Sequence, residues 1–346
     1  MQPKGIYIYG IVPNFYSAEF FRSLKCFETY AIPFENVSAI VSDYEGTAVD
    51  FSDREALGHL LIHHQKTIEA IQEIGFNMLI PMKLGTIAKA KKEVFTILSN
   101  GYELIIETLK KIENHTEIDL VVTWGAFNEI IQEVAGDPEI MEMKEEILKK
   151  SDALSPVDQM KMGMMIQEKL KEKNTKVELN ILDSLSSISL DIATHEVMND
   201  QMITNSAFLI KRHNREKFEH IIDQIDEEYK GLLNFKLVGP LPCYSFYTIE
   251  VQALDASLVL QAKQELGLGD ETSESEIKKV YLGKAKLFHP DGNSNGSNEE
   301  NFTKVNKAYH TLLDYSVAVR QSSKEDLISL EHEKVKNNLI LVRLKV

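Results

Sequence analysis

Apolar positions in the first 136 residues follow two periods, one of strands and one of helices. Residues 6–12 (IYIYGIV) are β-branched and aromatic, the composition of a strand. Residues 17–24 read as a short helix. Residues 30–34 and 37–44 read as two strands about a Glu35-Asn36 turn. Asp53 stands where a cap belongs for a helix running to Gly75, whose Leu57, Leu60, Leu61, Ile68, Ile71 and Ile74 fall near helical spacing. Residues 78–82 predict a short strand, 89–113 a second long helix and 120–124 a last strand.

From Asp137 the pattern changes. Pro138 and Pro156 punctuate a zone with helical spacing over 139–150, 157–173 and 177–198, and no strand is evident. Met141, Met143, Met160, Met162, Met164 and Met165, six of the 11 methionines, fall within one short stretch of it. Such side chains either fill helix–helix contacts or adapt to a varied apolar partner. Near Asn205 strands return: 207–211, then a helix over 214–229 with Phe218, Ile221, Ile222 and Ile225 on one side. Strands over 234–238 and 244–251 are joined by Gly239-Pro240-Leu241-Pro242, and a helix over 255–266 follows. The last eight residues, 339–346, form another strand.

This order predicts an α+β protein with two ferredoxin-like α/β sandwich domains, a helical connecting region and an inserted all-α module. The expected divisions are 1–136 for the first α+β domain and 137–204 for the connecting region. The second α+β domain takes 205–265 and 338–346, the insertion 266–322, and a charged return helix 323–337.

Composition narrows the possible partners. Charged residues make up 26% and hydrophobic residues 43%, ordinary for a globular chain. Lys plus Arg number 38 against 53 Asp plus Glu, a net charge of −15, which argues against general nucleic-acid binding and against docking on anionic lipid. The apolar run at 6–12 lacks the length and cleavage site of a secretory signal, and no apolar stretch approaches the roughly 18 residues of a membrane span. Two cysteines, Cys26 and Cys243, exclude a disulfide scaffold and a cysteine-based zinc site and fit a reducing cytoplasm.

Catalytic signals are absent from the pattern. His59 and His63 share a helix face, with His64 beside them, but there is no HExxH pattern, and Asp53, Glu55 and Glu69 lack metal-ligand spacing. Gly267-Leu268-Gly269 lacks the third glycine and the leading strand of a dinucleotide loop. No catalytic, cofactor or metal residue is assigned, and no enzyme is expected.

The insertion carries the most specific motif. Ser273 with Glu276 three residues on forms a capping-box pattern. The helix it opens carries Ile277, Val280, Tyr281, Ala285 and Phe288 and stops at His289-Pro290-Asp291, because proline disfavours helix at the residue before it. A Gly/Asn/Ser-rich loop follows, and a second helix with Phe302, Val305, Ala308, Tyr309 and Leu312 starts near Asn298. Together with Leu266-Gly267-Leu268, Ile277-Lys278-Lys279-Val280-Tyr281 and Asn306, these residues resemble a J-domain of the DnaJ/Hsp40 family. The resemblance implies that His289, Pro290 and Asp291 engage an Hsp70 of the DnaK kind. It implies that Lys278, Lys279, Lys284 and Lys286 meet an acidic patch on that partner. Between Ser273 and Gln321 seven Lys/Arg stand against six Asp/Glu, a local reversal that suits an acidic partner. There is no Gly/Phe-rich linker and no CxxC repeat, so this is not a general-purpose DnaJ.

The flanking sequence carries a second resemblance. Tyr7-Ile8-Tyr9-Gly10-Ile11-Val12, His64-Gln65-Lys66-Thr67-Ile68 with Ile80-Pro81-Met82-Lys83-Leu84-Gly85-Thr86, and Gly239-Pro240-Leu241-Pro242-Cys243-Tyr244-Ser245-Phe246 resemble segments of the gas vesicle GvpF/GvpL family. Leu84 replaces an aromatic residue, and Leu241 and Cys243 depart from the third segment. The resemblance implies a cytoplasmic, gas-vesicle-associated accessory protein without catalytic activity. Its implied partners are the shell subunit GvpA and other gas vesicle accessory proteins, with a possible Hsp70 called in by the J-like module. A minor shell component and a specialised Hsp70 co-chaperone are the alternatives.

Overall fold

The computed structural model describes residues 4–15, 28–46, 48–150, 155–288, 296–323, 327–335 and 340–345. In chain order its elements are β1 (Lys4–Pro13), β2 (Tyr30–Phe34), β3 (Val37–Glu45), α1 (Arg54–Glu73), β4 (Ile80–Pro81), β5 (Ile87–Ala88), α2 (Lys91–Asn100) and α3 (Tyr102–Ile112). Next come β6 (His115–Trp124), α4 (Phe127–Ala135), α5 (Pro138–Lys150), α6 (Pro156–Ser186), β7 (Ser189–Thr194), β8 (Met202–Lys211), α7 (Arg215–Glu228) and β9 (Leu233–Leu241). The chain ends with β10 (Ile249–Ala253), α8 (Ala256–Leu266), β11 (Glu271–Thr272), α9 (Glu274–Phe288), α10 (Gly296–Ser323), β12 (Ile328–Ser329), α11 (His332–Val335) and β13 (Ile340–Leu344). The result is a mixed α/β protein with antiparallel sheets, divided into two compact units.

The first unit joins Met1–Lys111 to Tyr247–Val346. Its main sheet has the order β2-β3-β1-β4, with β5 also on β1. β1 lies at the centre because nearly every position on it is apolar and buried, so both faces need cover. Glu35, with φ 47°, turns β2 into β3 as the sequence predicts. The Asp53 carboxylate accepts from the amides of Glu55 and Ala56 and opens α1. The expected strand at 78–82 shrinks to Ile80–Pro81, and the predicted helix at 17–24 lies outside the described residues.

The single helix expected over 89–113 is two helices. Gly101 separates α2 from α3, and a Cβ there would come within 2.7 Å of Val342 Cγ1 on β13. The glycine is therefore needed for the close approach of a strand remote in sequence. The last strand, β13, pairs antiparallel with β10. This pair lies in the first unit, contrary to the expectation that the last strand completes the second sheet: Met82 bridges to Ile249, and the Lys83 amide donates to the Ile249 carbonyl at 2.8 Å. The strand expected over 244–251 starts only at Ile249.

The J-like segment forms part of this unit and shares its core. Val259, Ala262 and Leu266 of α8 pack with Ile277 of α9, Val305, Ala308, Leu312 and Tyr315 of α10, and Leu341 of β13. The boundary at 266 consequently cuts through a core, since α8, expected to cover a sheet, forms one wall of the helical module. Gly267 ends α8 in the left-handed conformation (φ 70°), which a glycine adopts without steric cost. The return helix expected over 323–337 is not formed as such. Among the described residues there, β12 pairs with β11, and α11 is one four-residue turn.

The second unit is the continuous stretch Ile112–Phe246. Its sheet has the order β7-β8-β6-β9, with every neighbour antiparallel. The strand read as 120–124 in the first domain is longer, His115–Trp124, and is an interior strand of this second sheet. The connecting helices α4 to α6 belong here too, since their Ile130, Ile140 and Ile181 share a core with Leu120, Trp124 and Phe208. Ser155 and Asp158 form a reciprocal capping box with Pro156 at the first turn of α6. α6 then runs without a break to Ser186. Helical spacing does not continue to 198: residues 189–194 form an edge strand on β8, where pairing, with little burial of its own side chains, decides the conformation.

Candidate functional site

The basic helix α9 opens with the Ser273 hydroxyl accepting from the Glu276 amide at 3.3 Å. Its inward face is Ile277, Val280, Tyr281 and Phe288. Tyr281 stacks on Tyr309 of α10 at 4.0 Å between centroids, and its hydroxyl reaches Asn306 Oδ1 at 3.4 Å. Glu274 and Arg320 form an ion pair between the two helices. Three of the J-motif positions, Tyr281, Asn306 and Tyr309, thus fix how α9 lies on α10.

That packing decides which lysines are presented. Lys278, Lys279 and Lys286 are exposed and, at helical spacing, share one side of α9 with Leu282 and Leu287, themselves 56% and 73% exposed. Lys284 stands apart from them. Its ammonium donates to the Glu265 carbonyl at the C-terminal end of α8, at 2.6 Å, where it satisfies a helix-end acceptor. His289, Pro290 and Asp291 lie outside the described residues. Of the seven predicted positions, three form a common basic face with apolar residues among them and one ties two helices together.

The remaining motifs assemble elsewhere. In the first unit the Gly85 amide donates to Tyr7 Oη at 3.2 Å, and Tyr7 Oη lies 2.8 Å from Nδ1 of the buried His64. Tyr9 Oη lies 3.2 Å from His63 Nε2 and 3.1 Å from Ser42 Oγ. The tyrosine strand, the histidine helix and the glycine loop therefore meet through one polar chain. Burial lowers the His64 pKa to about 4, aided by neighbouring His63, so the ring that pairs with Tyr7 is neutral near pH 7.

In the second unit the Gly-Pro segment wraps a buried carboxylate. Glu117 of β6 accepts from the Ser245 amide at 2.8 Å and from the Ser245 hydroxyl at 2.9 Å, and His195 Nε2 lies 3.2 Å from the same hydroxyl. Burial, reinforced by Asp119, pushes the Glu117 pKa up to about 8. Burial is also the first cause that raises the Cys243 thiol to about 12, with the Glu117 charge second, and so keeps it protonated. Glu117 is bonded to the serine and not to the histidine, whereas the acid of a hydrolase relay is bonded to its histidine. Sequence reasoning passed over Glu117 and Asp119, although two acids two residues apart in an apolar strand are a legible oddity. Among the described residues no helix is long and apolar enough to cross a membrane.

Comparison with known proteins places these features. The sequence profile of the gas vesicle synthesis protein GvpL/GvpF family matches residues 5–248, and that of the DnaJ domain matches residues 264–317. The chain is 23% identical over 248 residues to gas vesicle protein F of Nostoc sp., which covers 71% of this chain and 99% of that protein. Over 49 residues it is 41% identical to chaperone protein DnaJ 1 of Aquifex aeolicus, 14% of each chain. The crystal structure of GvpF from Anabaena sp. matches with a TM-score of 0.57 at 21% identity, covering 70% of this chain and 97% of that one. GvpF from Microcystis aeruginosa gives 0.53 at 20% identity, covering 70% and 98%. At these identities the structural likeness is one of fold.

Proposed function

The chain belongs to the GvpL/GvpF family of gas vesicle synthesis proteins, and from that premise we propose that it assists assembly of the gas vesicle shell by holding the apolar shell subunit, GvpA, while its J-like module brings an Hsp70 of the DnaK kind to the same client. A subunit that lines a gas space is apolar on one face and aggregates unless that face is covered before assembly. The observation that carries the reading is the union on one chain of a family match over 5–248 and a DnaJ-domain match over 264–317. The exposed Lys278, Lys279 and Lys286 suit an acidic Hsp70 surface. We assign His289 and Asp291 to the Hsp70 contact, and place the protein in the cytoplasm on or near gas vesicles with the other accessory proteins. We assign it no catalytic step. The strand order shared by the two sheets, second-third-first-fourth, supports a ferredoxin-like reading of both.

The test is affinity purification from vesicle-forming cells, with ATPase assays on the Hsp70 recovered. Wild-type protein is expected to carry GvpA and an Hsp70. Asp291→Asn or His289→Gln should abolish ATPase stimulation and leave the circular dichroism spectrum unchanged. Stimulation that survives both substitutions refutes the J-type role, and the absence of GvpA refutes the client.

A further inference from the structure

The methionine-rich stretch of the second unit divides by helical arithmetic. Met162 and Met165 turn inward and pack on the core. Met160 and Met164, one turn apart, face outward at 64% and 58% exposure. Met164 opens onto a groove of about 790 Å³ between α6 and the segment that runs from Val197 to Ile203. Leu170 and Ile203 line its depth, and Met198, 82% exposed, stands on the opposite lip. Its rim is acidic: Glu168, Glu178 and Asp200 outnumber the single Lys171.

We propose that this groove binds an amphipathic helix of the client, apolar on the face that enters and basic along its flanks. The inference rests on the proposed client-holding function and names the element recognised. Length supports it, because α6 borders the groove from Met164 to Glu178, about 21 Å at the helical rise, or four turns of a partner helix. Chemistry supports it as well. Unbranched, polarizable methionines on both lips adapt to varied apolar side chains, while the acidic rim favours Lys or Arg outside the apolar stripe and disfavours an acidic helix.

The unit contains its own reporter. Trp124, the only tryptophan, donates from Nε1 to Asn174 Oδ1 at 2.7 Å, and Asn174 lines the groove and donates to the Asp200 carbonyl at 3.0 Å. A helix that shifts the Asp200 wall therefore disturbs the indole's partner and its emission.

The probe is a synthetic, tryptophan-free helix of about 14 residues, with Leu on one face and Lys on the flanks, titrated into the full chain while Trp124 emission is followed. A matched peptide with Glu flanks is the comparison. Binding in the micromolar range is expected for the Lys peptide, with the Glu peptide weaker by about tenfold or more. The near-isosteric double variant Met164→Gln with Met198→Gln should weaken the Lys peptide about tenfold. Glu168→Lys with Glu178→Lys, both on the rim, should reverse the charge preference. No binding, equal binding of the two peptides, or an unchanged affinity in the Gln variant overturns the groove assignment. If GvpA still co-purifies with the Gln variant as with wild type, only the groove is refuted. If GvpA fails to co-purify with wild type while the Lys peptide binds, the client reading falls and the groove stands.

Discussion

His64 illustrates how one buried side chain ties a motif to stability. Its Nδ1 is hydrogen-bonded to the Tyr7 hydroxyl, and that hydroxyl accepts from the Gly85 amide, so three separated segments share one polar chain. The folded pKa of about 4 lies below the usual value of 6.5, so folding selects the neutral ring. The contribution is present in full above pH 6.5 and is lost as the pH falls through 4. The shift corresponds to at most about 3 kcal/mol. His64→Gln keeps a hydrogen-bonding group beside Tyr7 and removes the titration. Hydrogen exchange of the β1 amides should accelerate in wild type between pH 6.5 and 4, after correction for intrinsic rates, and change less in the variant. Identical pH dependence in both would mean that His64 does not link this strand to pH. Lys284 makes a related point at the surface: one hydrogen bond to Glu265 sets it apart from the basic face in which the J-domain resemblance places it.

At the scale of elements, α8 is the piece whose role depends on its surroundings. Its apolar positions pack on α9 and α10, so excision of residues 267–337 with a short linker strips most of the cover from Val259, Ala262 and Leu266. Uncovering Val259 and Leu266 costs about 1.5–3 kcal/mol each. An insertion bounded at 266, as the sequence pattern predicts, would be removable; the shared core makes the opposite the expected outcome. A longer excision, 256–337, takes α8 away with its partners and should unfold at a higher temperature than the 267–337 deletion. The reverse ranking by calorimetry would show that the module is self-contained from Gly267 onward.

At the scale of the whole molecule the two units differ in how the chain builds them. The first needs two stretches separated by 135 intervening residues, Ile112–Phe246, which make the second. All the buried residues of the second unit's core cluster lie between Ile118 and Leu233. A fragment of residues 112–246 is therefore expected to fold alone, with a cooperative urea transition in Trp124 emission. A gradual drift in place of a transition would show that this core is insufficient by itself.

The sequence by itself determined the local elements and both family resemblances. Turn residues, caps and hydrophobic period act over a few positions, so the β2–β3 hairpin, the Asp53 cap, the Ser273 cap and the helices on either side of residues 289–295 were legible. Only the tertiary structure decided what each element packs on. β6 follows the first unit's elements in the chain but lies between β8 and β9. β13 joins β10 beside Met82, β7 is a strand through pairing with β8, and α8 belongs to the helical core. The division between outward Met164 and inward Met165, and the separation of Lys284 from Lys278, Lys279 and Lys286, were settled there too. The physical reason is common to all of them. Burial and strand pairing are contacts between residues far apart in the chain, and a local pattern states that a face is apolar without stating what will cover it.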